Sequence, residues 1–134
     1  MQRRKFLLLS VLAASASGMT LEGCRNVDPA VARMVGQPAT LARICDEASI
    51  LRIGHDYLQK FPEESDRRKL LDILLTKPDG SLASFAAGDP GAISFLEEKT
   101  KQDFSVGHTV ILSNWILSAT EARQSALYFL NTTR

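Results

Sequence analysis

Two apolar stripes run along the segment from Leu41 to Phe61, each with the spacing of a helix face. The first stripe is about 140° wide at 100° per residue and consists of Leu41, Ile44, Cys45, Ala48, Leu51, His55 and Leu58. The second stripe lies on nearly the opposite side and consists of Ile50, Ile53, Tyr57 and Phe61. A helix that is apolar on both sides lies either at the centre of its own domain or against another protein.

Further helices are predicted after this segment. Acidic residues at 63–66 favour a helix start, and the apolar run at 70–75 predicts a short, deeply packed helix. The segment "SLASFAAG" at 81–88 predicts a helical fragment. Asp89 followed by Pro90 is typical of a helix N-terminus, and this helix should end near Phe104. Ser118 and Glu121 match a capping box, so a last helix should begin there.

The segment "HTVILSNWILS" is the least helical part of the chain. Residues 109–112 and 115–117 are apolar or β-branched, and Ser113 and Asn114 between them can form a turn. This pattern predicts a small β-hairpin that must pack on something, because an isolated hairpin is marginal in water. The predicted fold class is therefore mainly α: four to five helices with one short β-hairpin before the last helix.

The N-terminal residues have the build of an export signal: a basic start, an apolar stretch and then small residues. Arg3, Arg4, Phe6 and Leu7 resemble the twin-arginine signal, which directs folded proteins to the twin-arginine translocase. Ordinary secretory signals also carry basic residues before an apolar run. The stretch is too short and too polar for a stable transmembrane helix, which needs about 20 mostly apolar residues.

The site of signal cleavage has two candidates. The sequence "LEGC" resembles the lipoprotein box and ends in Cys24, which would then be lipidated and hold the chain on a membrane. The competing cut follows Ala16 in "ASA". With cleavage before Cys24, residues 1–23 are the signal, 24–37 a tether and 38–134 the helical domain. A periplasmic location follows in either case.

The charge balance of the mature chain argues against nucleic acid as a partner. Residues 24–134 contain 13 basic and 14 acidic residues, a net charge of −1, without a basic tract. Nucleic-acid binding needs a cationic face.

The sequence predicts no catalytic, cofactor-binding or metal-binding residue. It contains no Gly-rich phosphate loop and no Cys-x-x-Cys pair. His55 lies in the first apolar stripe and is predicted to be a core residue, although it would be the starting point of any enzymatic role. His108 is predicted to lie in a loop. The consecutive acidic pairs at 63–64 and 97–98 point in divergent directions on a helix and are predicted to be solvated.

The candidate interface with another protein consists of the second stripe and the single tryptophan: Ile50, Ile53, Tyr57, Phe61 and Trp115. Tryptophan is enriched at interface hot spots. Core packing is the alternative for Trp115.

The twin-arginine leader, "IGHDYLQKFPEESD" and the late segment "DFSVGHTVILSNWILSATEARQSAL" together resemble the small, gamma-type subunits of periplasmic flavin-dependent dehydrogenases, the gluconate 2-dehydrogenase subunit 3 group. The resemblance covers most of residues 44–130. It implies a non-catalytic subunit that holds no cofactor and supplies the export signal for a larger flavin-dependent subunit, which carries FAD. A cytochrome c subunit is a further partner that it implies.

The sequence therefore favours an accessory, escort subunit of an exported oxidoreductase complex. The alternative is a free-standing periplasmic lipoprotein that acts as a binding or envelope-structural module, with Cys24 as its anchor.

Overall fold

The computed structural model describes residues 28–133, which form five α-helices and one two-stranded antiparallel sheet. The helices are α1 (Pro29–Val35), α2 (Glu47–Lys60), α3 (Arg67–Leu75), α4 (Pro90–Val106) and α5 (Ala119–Thr132), and the strands β1 (Thr109–Leu112) and β2 (Trp115–Ser118) lie between α4 and α5. Short 3₁₀ turns at Leu41–Arg43 and Pro62–Glu64 flank α2. The mainly helical fold with a hairpin before the last helix is confirmed. None of the described helices is long and apolar enough to cross a membrane.

The last helix, α5, is the centre of the fold and contacts the other four helices and both strands. Seven of its first eight residues are buried, and so is Ser118, the N-cap that precedes it. The predicted capping box is present: the Ser118 hydroxyl accepts from the Glu121 backbone N–H at 2.9 Å, and the Glu121 carboxylate accepts from the Ser118 N–H at 3.1 Å. Asp103 of α4 adds a further cap by accepting from the Thr120 N–H at 2.8 Å.

Helix α2 packs more extensively on α5 than any other helix does. At the crossing, Gly54 lies so close to α5 that a Cβ atom built on it would be 2.2 Å from the Ser125 carbonyl oxygen. The small residues Ala122, Ser125 and Ala126 of α5 are fully buried. These small residues let the backbone of α2 approach α5 closely.

The predicted tether at 24–37 is wrong where it overlaps α1, because this segment is part of the core. Val31, Ala32 and Val35 are buried. The buried Gln124 side chain of α5 donates to the carbonyl oxygens of Val35 at 2.9 Å and Gln37 at 3.1 Å, which ties the end of α1 to the central helix.

Helices α3 and α4 complete the core with one face each. Leu70, Leu71 and Leu74 of α3 are buried, as predicted. Lys99 of α4 donates to three carbonyl oxygens at the end of α3, those of Ile73, Leu74 and Thr76, at 2.8, 3.0 and 3.1 Å.

The predicted helical fragment at 81–88 is wrong, because the segment is an irregular connection. Leu82 pairs with Thr76 in an isolated bridge, and a turn leads to Asp89. Asp89 caps α4 as predicted, and the helix continues two residues past the predicted end to the left-handed Gly107.

Candidate protein interface

Three of the five predicted interface residues are core residues, which corrects that prediction. Ile50, Ile53 and Tyr57 are 5%, 0% and 1% exposed, because the second apolar stripe of α2 faces α5. Phe61 is half-buried, with its ring 4.6 Å from that of Tyr57. Gly54 lies on the same face of α2, and its lack of a side chain lets this stripe approach α5 closely.

The middle of the first apolar stripe, from Ile44 to His55, is exposed or half-buried, whereas Leu41 and Leu58 at its two ends are buried. Ile44 lies before α2 begins and is 66% exposed. His55, predicted to be buried, has a side chain that is 53% exposed, 3.5 Å from the Asp56 carboxylate and edge-on to the Phe129 ring. His108 lies in an exposed connection between α4 and β1, as predicted.

A polar cluster joins α2, the second 3₁₀ turn and α5. The Tyr57 hydroxyl donates to Glu64 at 2.7 Å, and Arg123 donates to the same carboxylate at 3.1 Å and to the Tyr57 oxygen at 3.0 Å. Burial raises the pKa of Tyr57, and its hydrogen bond to Glu64 adds to the rise. Burial alone would raise the pKa of Glu64, but the hydrogen bonds from Arg123 and Tyr57 outweigh it and lower that pKa.

This cluster corrects the prediction that both members of the 63–64 acidic pair are solvated. Glu63 is exposed, whereas the Glu64 side chain is only 14% exposed. The partners of Glu64 lie 7 and 59 residues away along the chain, so no local pattern could reveal the cluster. All its polar groups are engaged with one another, which is typical of a structural network.

The hairpin has one face on the core and one face on the surface. In its register Val110 pairs with Leu117 and Leu112 with Trp115, and these side chains share the inner face because alternate residues point the same way. Leu112 and Leu117 are buried, and Val110 and Trp115 pack against the core as half-buried residues. Trp115 is therefore at the margin of the core, and most of its packing is internal.

The outer face of the hairpin carries an exposed apolar pair. Ile111 and Ile116 lie directly opposite each other in the register and are 62% and 67% exposed. They form a non-hydrogen-bonded pair, in which cross-strand side chains come closest. We call Ile111 and Ile116 the hairpin outer surface. Two more exposed apolar residues, Phe104 and Val106, occupy the last turn of α4 just before the hairpin.

The leader residues Arg3, Arg4, Phe6 and Leu7 and the candidate lipidation residue Cys24 lie outside the described residues. Within residues 28–133, no three His, Cys, Asp or Glu side chains are grouped so that they could hold a metal ion. Cys45 is half-buried, and its thiol donates to the Leu41 carbonyl oxygen at 3.4 Å.

Comparisons with protein-family models, curated proteins and solved structures gave no match to this chain. The resemblance to small dehydrogenase subunits stays a prediction from the sequence.

Proposed function

We propose that this chain is a non-catalytic accessory subunit of an exported oxidoreductase complex, bound to its larger subunit through the hairpin outer surface. The observation that carries the proposal is the Ile111–Ile116 pair, two large apolar side chains held side by side in water on a face that the core does not use. Apolar pairs held in this way favour burial against another protein.

The energy available from this pair is useful for binding. Full burial of an isoleucine side chain contributes about 1.5–3 kcal/mol. Since each of the two is already about one-third covered, burying the remainder contributes on the order of 1–2 kcal/mol per residue. The hairpin is also held in place before binding, because the Ser113 hydroxyl in its turn donates to the Asp56 carboxylate of α2. Preorganisation lowers the entropic cost of association.

The leader supports the accessory role. Arg3, Arg4, Phe6 and Leu7 resemble a signal for an exporter of folded proteins. A small helical domain with mostly local contacts folds quickly and has little need of such an exporter on its own account. The proposed cargo is a larger flavin-dependent subunit that carries FAD and has no leader of its own, with a cytochrome c subunit as a further member of the complex.

The test is native purification of the affinity-tagged full-length chain from the periplasm of its host. We expect one larger protein in stoichiometric amount, with the visible absorbance of a flavin. Replacing Arg3 and Arg4 by lysine should leave both proteins in the cytoplasm. Recovery of a monomer without a companion, or export of the flavoprotein unaffected by the double lysine variant, would contradict the proposal.

The docking surface has a separate test with a matched control. Ile111→Thr with Ile116→Thr keeps the β-branched shape that strands favour, so the chain should fold and be exported without its companion. Ile44→Thr changes an isoleucine that is equally exposed but lies far from the hairpin in sequence, before α2. It should leave the companion bound. If both variants retain the companion protein equally, the companion binds to another part of the chain.

The alternative function, a free-standing lipoprotein, is favoured by Leu21–Cys24 alone. Mass spectrometry of the mature N-terminus distinguishes the two cleavage sites. A lipidated Cys24 on a chain that purifies without a companion would support this alternative.

A further inference from the structure

A groove lies between the N-terminal part of α2 and the turn of the hairpin, and the accessory role does not use it. Its volume is about 420 Å³. This value falls within the range of roughly 300–1,000 Å³ that small-molecule sites occupy. The groove, which we call the turn groove, is lined on the helix side by Asp46, Ala48, Ser49 and Arg52 and on the hairpin side by Ser113, Asn114 and Trp115.

The hairpin turn beside the groove is firmly held. Ser113 and Asn114 have φ angles of 49° and 69°, which is the ordinary geometry of a two-residue hairpin turn. The Ser113 hydroxyl donates to the Asp56 carboxylate and ties the turn to α2. This contact holds Asn114 and Trp115 at the rim of the groove.

The charges in the turn groove are nearly balanced. Asp46 is the N-cap of α2, and its carboxylate accepts from the Ser49 N–H at 2.9 Å. Asp56, just beyond the groove, accepts from Ser113. Arg52 makes no hydrogen bond and no ion pair within 4.0 Å with any of residues 28–133, although its charge contributes to lowering the pKa of Asp56. Among the residues that the structure describes, none occupies its guanidinium donors, which leaves them available for a ligand.

The presence of both charges in and beside the groove determines which ligand charge it favours. An anion attracted by Arg52 would also meet the carboxylates of Asp46 and Asp56. A cation attracted by those carboxylates would meet Arg52. A neutral ligand rich in hydroxyl groups avoids both conflicts, because each hydroxyl can donate to a carboxylate and accept from a guanidinium, an amide or another hydroxyl.

The aromatic residue of the groove, Trp115, also favours a sugar as the ligand. Trp115 is half-buried against the core and is one of the residues that line the groove. A sugar ring presents C–H groups on one face and hydroxyls around its edge, which suits one apolar aromatic surface ringed by polar side chains. We propose that the turn groove binds a neutral carbohydrate, with Trp115 against the ring and with Arg52, Asn114 and Ser49 as hydrogen-bonding partners.

The experiment uses Trp115 itself as the reporter, because it is the only tryptophan of the chain. The exported full chain is titrated with maltotriose, cellotriose and N,N′,N″-triacetylchitotriose, and the indole emission is recorded. At least one of the three should give a saturable change. Glucuronate and glucosamine, which carry a negative and a positive charge, should bind more weakly than glucose, the neutral sugar of the same size.

Substitutions in the turn groove test whether the sugar binds there. Arg52→Ala should weaken binding by about tenfold through the loss of one or two hydrogen bonds. Asn114→Asp keeps a side chain that tolerates a positive φ and adds a negative charge, and it should also weaken binding. Lys101→Ala, which removes an exposed cation on α4, should have no effect. Melting temperatures measured alongside show whether each variant is folded.

Two results would overturn the proposal. One is the absence of a saturable change with all three trisaccharides. The other is tighter binding of glucuronate or glucosamine than of any neutral sugar, which would refute the charge argument. Neither result affects the accessory role, which depends on the opposite face of the hairpin.

Discussion

Substitution of Gly54 by alanine tests the central contact of the fold. The added Cβ would lie 2.2 Å from the carbonyl oxygen of Ser125, 2.7 Å from its carbonyl carbon and 2.9 Å from Cβ of Phe129, whereas ordinary contact begins at 3.4 Å. Two of these three atoms belong to the backbone of α5, so no rotamer change can relieve the overlap. Helices α2 and α5 would have to separate by about 1 Å.

The expected loss of stability follows from this geometry. Overpacking a core costs typically about 1–3 kcal/mol, and occasionally more. A backbone collision belongs at or above the upper end of that range. Because alanine is a better helix former than glycine, its helix propensity offsets about 1 kcal/mol of this cost. We therefore expect Gly54→Ala to lower the free energy of unfolding by about 3 kcal/mol, or the melting temperature by roughly 10–20 °C for a domain of this size.

Urea unfolding, followed by Trp115 fluorescence and by far-UV circular dichroism, measures this loss. Gly91→Ala is the matched control, because Gly91 lies in the first turn of α4 and the nearest atom to its added Cβ is a flexible carboxylate oxygen of Asp89, at 3.1 Å. The control should cost at most about 1 kcal/mol, because the Asp89 oxygen that must shift is the one that caps α4 by accepting from the Gly91 N–H. If Gly54→Ala is as stable as the control, the backbones of α2 and α5 are further apart at Gly54 than the structure shows.

Three further substitutions test other contacts. The lowered pKa of Glu64 means that the ionised carboxylate contributes stability above its ordinary pKa of 4.5 and that this contribution is lost as the pH falls below it. Wild type should thus lose more stability than Glu64→Gln between about pH 5 and pH 3 in thermal melts, and parallel curves would contradict this. Lys99→Met leaves three carbonyl groups of α3 without their donor and should cost about 1–3 kcal/mol in urea unfolding, whereas Lys101→Met on the exposed side of α4 should cost under about 0.5 kcal/mol. Ser118→Ala removes the cap of α5 and should cost about 1 kcal/mol in the same assay, while an unchanged midpoint would exclude a role for the capping box.

The helix caps and the turn that depend only on near neighbours in the chain were predictable from the sequence. The Asp89 cap, the Ser118–Glu121 capping box and the hairpin turn at Ser113–Asn114 each depend on residues within three or four positions of one another. Such patterns act before any tertiary contact forms, so the starts of α4 and α5 and the strand boundaries agree with expectation. The starts of α2 and α3 do not: α2 begins at Glu47 and α3 at Arg67, each after a 3₁₀ turn in which a helix was predicted.

The candidate site was predicted only in part. Trp115 was expected at an interface, yet it is half-buried against the core and is one of the residues that line the turn groove. Ile111 and Ile116 were recognised as strand residues, but the face on which each strand is buried depends on what lies beneath the hairpin. One shift of register would exchange the buried and exposed sets.

The Asp89 and Ser118 caps and the hairpin were determined by the sequence alone, because capping and turn formation are local properties of the chain. The choice between the two apolar stripes of α2 was decided only by tertiary structure. Both stripes had the periodicity of a buried face, but Gly54 lies on the face with Ile50, Ile53 and Tyr57, and α5 presents alanine and serine to it. Close approach of the two backbones is possible there, so that stripe packs on α5, whereas His55 in the middle of the other stripe stays half-exposed.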